Sequence, residues 1–375
     1  MGGEYMQNYK SVIHELLSSC GIAVNGSNPW DIRIHDERTY PRVFRDKSLG
    51  LGESYMDGWW DCAQIDELIH RLLIKRADRN LRDGLRLLVP AIQLFLLNCQ
   101  TINRSKQVAE RHYDLGNELF FTFLDSHNQY SCAYFNGTGD LEDAQKNKME
   151  LICKKLNLNK NDHVLDIGFG WGGLARYMAE NYGCTVTGVN ISQEQTRFAH
   201  EWCKSLPVHV LRRDYREMQG VFDKIVSVGM FEHVGRKNYR IFMETAHRCL
   251  KDGGIFLLHT IGVNESARDT DPWMHKYIFP NGELPSVAQV TRAAEGLFVL
   301  EDFHNLGPHY EKTLLAWNRR FQSGWPQLEG KYGNRFKRMW EYYLLSCAGA
   351  FRARYMQIWQ FVFTKCFTPQ PVCRY

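Results

Sequence analysis

From His163 onward, apolar and polar positions alternate between two rhythms. Short apolar runs (HVLDIG, CTVTGVN, VHVLRRD, FDKIVSVG and GGIFLLHTIG) have the length and bounding residues of strands. Between them, WGGLARYMAENYG and SQEQTRFAHEWCKSL carry apolar residues at helical spacing. Gly183 is placed to end the first of these helices, and Ser192 to cap the second. Strands alternating with helices predict an α/β fold, a doubly wound and mainly parallel sheet with ligands at the carboxyl ends of its strands. FVLEDF, a long helical stretch and QIWQFVFTKC are expected to complete that sheet.

Upstream the rhythm differs. YKSVIHELLSSCGI is helical in pattern, and polar turns lead to the aromatic stretch LGLGESYMDGWW. Residues 1–100 therefore read as a smaller N-terminal domain, and 110–375 as the α/β domain. Within the latter, about 263–297 breaks the alternation with the aromatic-rich PWMHKYIFP, which is expected to form a lid. The longest apolar run, LVPAIQLFLLNC at 88–99, contains Pro90 and is too short to span a bilayer. It reads as a core helix or an interfacial one. Around it, Arg71 to Arg111 holds nine Lys or Arg against three Asp or Glu.

Composition narrows the function classes. A net charge of +4 over 375 residues argues against a nucleic-acid partner. The eleven cysteines show no metal-ligand spacing, so no metal site is expected. MGGEYMQNYK lacks the apolar core of a secretion signal, which makes reduced thiols and a cytoplasmic location the expectation.

The chemistry starts at VLDIGFGWGG, residues 164–173. Gly168, Gly170 and Gly173 match a dinucleotide-binding turn, with Gly172 beside them, yet Asp166 stands at its lip. A pyrophosphate would be repelled by that carboxylate, and the next strand ends in Asn190 rather than in the acid a nicotinamide dinucleotide requires. S-adenosylmethionine has no phosphate and carries a sulfonium and an ammonium, so Asp166 becomes an attractive neighbour.

Further stretches gather at the same sheet edge: NQYSCAYF, VGMFEHVG, HTIG and GPHYEKTLLAW. With GLGESYMDGWW and HYDLGNELF, they closely resemble the cyclopropane fatty acid synthase family, over nearly the whole chain. The resemblance implies transfer of a methylene group from S-adenosylmethionine to a cis double bond of a phospholipid acyl chain. A carbocation forms and loses a proton to close the ring. It further implies that a bound bicarbonate ion is the base, held by Cys132, Glu232, His259, the Ile261 carbonyl and Tyr310. Cofactor contacts are implied for Tyr130, Ser131, Asp166 to Gly173, Asn190, Gln195, Tyr215 and Arg216. Two positions depart from the family pattern, Phe169 for the usual Cys and Asn190 for the common Thr.

Aromatic faces stabilise a cation without capturing it, and Tyr130, Tyr134, Phe135, Phe231, Tyr277 and Phe279 are the candidates, each also compatible with ordinary core packing. Cys347, in SCAGAFRAR, is named as a catalytic candidate, although small-residue helix packing explains it better because the lipid is itself the nucleophile. The same resemblance implies a lipid-binding N-terminal domain, a phospholipid bilayer as partner, peripheral attachment to the inner face of the membrane, and a homodimer. Three rivals stay open: acyl-chain methylation without ring closure, non-catalytic lipid binding, and small-molecule methylation.

Overall fold

The computed structural model describes residues 2–75, 116–266 and 270–374. Most of the basic stretch 71–111, and the apolar run 88–99 within it, lie outside the described residues.

The larger compact unit is built on a seven-stranded sheet. Its strands are β3 (His163–Ile167), β4 (Thr185–Asn190), β5 (Val208–Arg212), β6 (Phe222–Val228), β7 (Leu250–Val263), β8 (Val299–Asn305) and β9 (Met356–Thr364). Their order is β5-β4-β3-β6-β7-β9-β8. The pairs β3–β4, β3–β6, β4–β5 and β6–β7 are parallel, and β8–β9 is antiparallel. The expected mainly parallel, doubly wound sheet is therefore present. Side chains alternate between its faces: Leu165 and Ile167 join one core with Phe242, Phe256 and Phe361, while Val164 joins the other with Met149, Met178 and Val362. Both helix-end expectations hold, since Ser192 accepts from the Gln195 amide and Gly183 ends its helix at φ +68°. Strand order reverses at β3, which has β4 on one side and β6 on the other, and this reversal opens a crevice at their carboxyl ends.

The smaller unit draws on distant parts of the chain: residues 2–75 together with 270–280 and 314–356. A short two-stranded ribbon, β1 (Arg33–Ile34) with β2 (Trp60–Asp61), lies within it. The sequence assigned 270–280 and 314–356 to the α/β domain, but their contacts place them here. Trp273 is buried edge-on against Tyr342, with ring centroids 4.8 Å apart. Glu53 accepts from Lys276 at 2.6 Å and from Tyr277 at 2.7 Å. Burial alone would raise the pKa of Glu53, but these bonds and that from Arg42 outweigh it and pull the group down to about 2. Arg338 and Arg352, on the long helix Gly307–Arg352, bind Asp61 and Asp66 at 2.7 and 2.6 Å. Hydrogen bonds between residues nearly 300 positions apart cannot be read from local composition.

Candidate active site

The glycine turn forms because the chain must leave β3 without side-chain bulk. A Cβ on Gly168 (φ +84°) would lie 2.6 Å from the Met230 side chain, and one on Gly173 would meet the His127 carbonyl oxygen at 1.8 Å. The second approach brings the loop 128–131 against the start of the helix Gly173–Tyr182, and the two enclose a pocket with Asp166 at its floor. Asp166 is 2% exposed, and its Oδ2 has no hydrogen-bond partner. Desolvation pushes its pKa up to about 7, opposed by the charge of Lys148.

Of the residues implied as cofactor contacts, Tyr130, Ser131, Asp166, Gly168, Gly170 and Gln195 line this pocket, while Gly172 and Gly173 are not among its lining. Asn190 braces it from behind, its amide donating to Gln195 Oε1 at 2.8 Å and to the Gly170 carbonyl at 3.4 Å. Phe169 lies over Gly188 of β4, where a Cβ would stand 2.7 Å from the ring. Both departures from the family pattern are thus accommodated by local packing. Tyr215 and Arg216 play a different part. The Tyr215 ring is packed in the core against Phe242, and Arg216 is bound to Asp214 at 2.7 Å, so neither lines the pocket.

A second group of polar residues stands at the ends of β6 and β7. Glu232 follows β6 and is 7% exposed. Its Oε1 accepts from the Ile261 amide at 2.6 Å, while its Oε2 is buried without a partner. Burial pushes this carboxyl up to about 7, against the lowering effect of the Ile261 bond. His259, two residues before Ile261 on β7, is fully buried, and its Nδ1 pairs with the Gln360 amide nitrogen at 3.2 Å. In this amide orientation Nδ1 accepts, so the neutral ring carries its proton on Nε2, a buried nitrogen without a partner. Burial, reinforced by the charges of Lys148 and Lys155, holds the ring neutral by pushing its pKa well below the ordinary histidine range.

Cys132 is fully buried, its thiol donating to the Ala133 carbonyl at 3.2 Å, and burial pushes it far above the usual thiol range. The next amide, that of Ala133, donates to Thr313 Oγ1 at 3.1 Å, tying this loop to the helix that bears the buried Tyr310. The carbonyl of Ile261 already accepts the Thr260 hydroxyl at 3.0 Å. The family resemblance implied a role for Ile261 through that carbonyl alone. Its amide proves equally important, because it orients Glu232.

Three aromatic candidates and Cys347 make contacts of their own. Phe231 belongs to the core, stacked on Tyr239 at 4.4 Å, and is not a wall of the site. Tyr277 and Phe279 lie in the smaller unit, where Tyr277 is bound to Glu53. Cys347 also lies in that unit, on the long helix, with its thiol pushed up to about 12 by burial and by the charge of Asp271. Two residues on, a Cβ at Gly349 would meet the Asp66 carbonyl oxygen at 2.3 Å. The small residues of SCAGAFRAR therefore serve close helix packing, as expected.

Three polar residues escaped sequence reading. Lys148, buried in the helix Leu141–Lys155, donates to Gln129 Oε1 and to Ser131 Oγ, the latter at 3.0 Å. In KNKMELICKK it is indistinguishable from surface lysines. Gln129 and Gln360 are the others, and a lone glutamine in the otherwise apolar IWQFVF was a readable signal. Among the described residues no cluster could hold a metal ion, and no helix is long and apolar enough to cross a membrane.

Comparison with known proteins agrees with this geometry. The model of the mycolic acid cyclopropane synthetase family matches residues 100–361. The cyclopropane-fatty-acyl-phospholipid synthase of Escherichia coli K12 is 51% identical over 96% of this chain and 94% of its own length. A probable fatty acid methyltransferase of Pseudomonas putida is 34% identical over 68% of each chain. Among solved structures, the cyclopropane synthase MmaA2 of Mycobacterium tuberculosis superposes with a TM-score of 0.65 at 30% identity, covering 69% of this chain and 98% of that one. A mycolic acid cyclopropane synthase complexed with SAH and CTAB gives the same TM-score at 32% identity, covering 69% and 98%. With a sheet of this order, a carboxylate at the tip of its first parallel strand and these relatives, the chain belongs to the cyclopropane synthase family of S-adenosylmethionine-dependent methyltransferases.

Proposed function

We infer that this chain converts a cis double bond in an unsaturated phospholipid acyl chain into a cyclopropane ring, with a bicarbonate ion as the base. One observation carries the reading: Glu232 Oε2 and His259 Nε2 are both buried and both without a partner. Leaving such groups unpaired costs on the order of 1–3 kcal/mol each, a cost that an ion accepting from one and donating to the other would remove.

Both absent groups fit the residues. The unpaired Asp166 Oδ2 suits a cationic cofactor, and the open space at Gly170, where an added Cβ would meet nothing within 4 Å, leaves its backbone accessible to the methionine portion. When bound, S-adenosylmethionine supplies an activated methyl carbon and bicarbonate a proton acceptor.

The chain's own residues bind and orient. Asp166 attracts positive charge in a desolvated pocket, where the attraction is little screened. The Ile261 amide fixes one oxygen of Glu232 and leaves the other to accept the hydroxyl hydrogen of the ion. Gln360 fixes the tautomer of His259, so that Nε2 donates. Tyr310 is the further donor of this proposal, and the backbone amide of Cys132 another. None of these groups has to move for a proton to leave, which suits general-base chemistry.

Delivery of the lipid belongs to the same proposal. The basic stretch 71–111 would dock on anionic headgroups at about 1 kcal/mol per well-placed cation. Arg71 is less available than its sequence suggests, since it pairs with Glu67 at 2.9 Å and lies 4.0 Å over the Trp30 ring. Attachment to the inner face of the membrane and a homodimeric state complete the reading.

The test uses purified protein, unsaturated phospholipid vesicles and S-adenosylmethionine, with products weighed by mass spectrometry. A gain of one CH₂ unit with loss of the olefin supports the reading. Two further hydrogens would mean methylation without ring closure, and no transfer with lipid binding intact would mean a binding protein. Removing bicarbonate from the buffer should suppress turnover reversibly; unaffected turnover would remove the ion from the account.

A further inference from the structure

Lys148 has no carboxylate within ion-pair distance among the described residues, yet it is fully buried. A buried ammonium with no carboxylate bonded to it is costly, and proteins retain one where its charge is used. Both of its hydrogen-bond partners, Gln129 and Ser131, line the cofactor pocket. The loop that carries them is pinned from two other sides. Asp125 accepts from the Gln129 amide at 2.8 Å, and Gln145 donates to the Ser131 carbonyl at 3.0 Å. Lys148 is the only side chain in this set whose charge also acts on Asp166.

We propose that Lys148 is a positioning residue of the cofactor site: its ammonium holds Gln129 and Ser131 in the wall of the pocket that Asp166 also lines, and places a fixed positive charge beside that pocket. This rests on the cofactor assignment above and adds a residue to it. The groups facing the ammonium are Asp125 and Cys132 from the preceding loop, Cys153 from its own helix and Asp166 from β3. Asp125 is occupied by two backbone amides, those of Gln129 and His127, and both thiols are held protonated by burial. The ammonium favours the carboxylate forms of both Asp125 and Asp166 and opposes protonation of His259; of these three, Asp166 is the one that lines the cofactor pocket. Burial lowers Lys148 itself to about 8, so it stays largely charged at neutral pH.

The sign of the effect follows. A neighbouring cation favours the carboxylate form of Asp166, so removing that cation must move its titration to higher pH. The test measures S-adenosylhomocysteine binding to the full-length protein by calorimetry across neutral pH. Lys148→Gln keeps a hydrogen-bonding side chain and deletes the charge. Its affinity at neutral pH should fall about tenfold, and the midpoint of its pH dependence should rise by about one unit. A folded Lys148→Gln protein with an unshifted midpoint overturns the proposal, because a merely structural role would weaken binding equally at every pH. Should that variant fail to fold, Ser131→Ala, which removes one anchor of the ammonium, should move the midpoint in the same direction by less; no movement is again fatal. The readout needs no turnover, so failure of the lipid reaction leaves it intact. Wild-type protein that does not bind S-adenosylhomocysteine would instead overturn the cofactor assignment, and Lys148 with it.

Discussion

The backbone amide of Ile261 donates to Glu232 Oε1 at 2.6 Å, so a strand holds this carboxyl by one oxygen and presents the other. Glutamine at 232 keeps the held oxygen and replaces the presented one with an amide. Glu232→Gln should therefore bind S-adenosylhomocysteine within about twofold of wild type while losing at least ~100-fold in ring formation, the scale of a lost acid–base partner. Calorimetry and lipid mass spectrometry on the same preparation check both halves.

Asp166 and Glu232 are both pushed up to about 7 by desolvation, and the proposed function needs both ionised. Turnover should fall as pH drops through neutrality, with a limb centred near 7. His259 should add no limb of its own, since its pKa lies well below the ordinary range and the neutral ring persists throughout. A pH–rate profile of saturated enzyme isolates Glu232, and one at low cofactor adds Asp166.

An ionised Asp166 is a burden to the empty protein. Its folded-state pKa is raised, so the stability it contributes is present at low pH and lost as pH rises through about 7. Asp166→Asn should raise the melting temperature of the ligand-free protein at alkaline pH, and should abolish the further rise that S-adenosylhomocysteine gives to wild type. Thermal scans with and without ligand decide this, and a destabilised Asn variant would contradict it.

Gln360 holds His259 at Nδ1, the ring nitrogen that the proposal does not assign to the ion. Gln360→Leu should lower kcat by about 10–100-fold, the usual effect of losing a residue that orients a ligating histidine, and leave the cofactor KM nearly unchanged. Steady-state kinetics against vesicles provide the check.

A thiol held near 12 is protonated at neutral pH and a poor nucleophile. Cys347→Ala should accordingly keep activity within about threefold, with any loss tracking stability. Complete loss in a protein that melts like wild type would restore a chemical role to Cys347.

The sheet was legible because its strands and helices have different apolar periods, and the glycine turn because Asp166 contradicts a phosphate ligand. The packing of Tyr215 and the ion pair of Arg216 were not legible. A residue after a strand end looks the same whether it faces a ligand or, like Tyr215, packs on Phe242. Lys148 was hidden for a related reason: it is one of four lysines in KNKMELICKK, and its burial depends on the loop 125–131 folding over it. Segment 270–280 was readable as an aromatic departure, but its attachment to Glu53 depends on residues more than two hundred positions away.

The smaller unit takes its residues from 2–75, 270–280 and 314–356, and this imposes an order of events during synthesis. Tyr55 waits for Glu341, and Asp66 waits for Arg352, so the segment 2–75 lacks these partners until 286 further residues have been made. At the usual pace of translation that delay lasts tens of seconds. A nascent amino-terminal segment with unburied tryptophans is a natural client for chaperones, and a stop codon shortly before residue 340 would remove the support of both units at once.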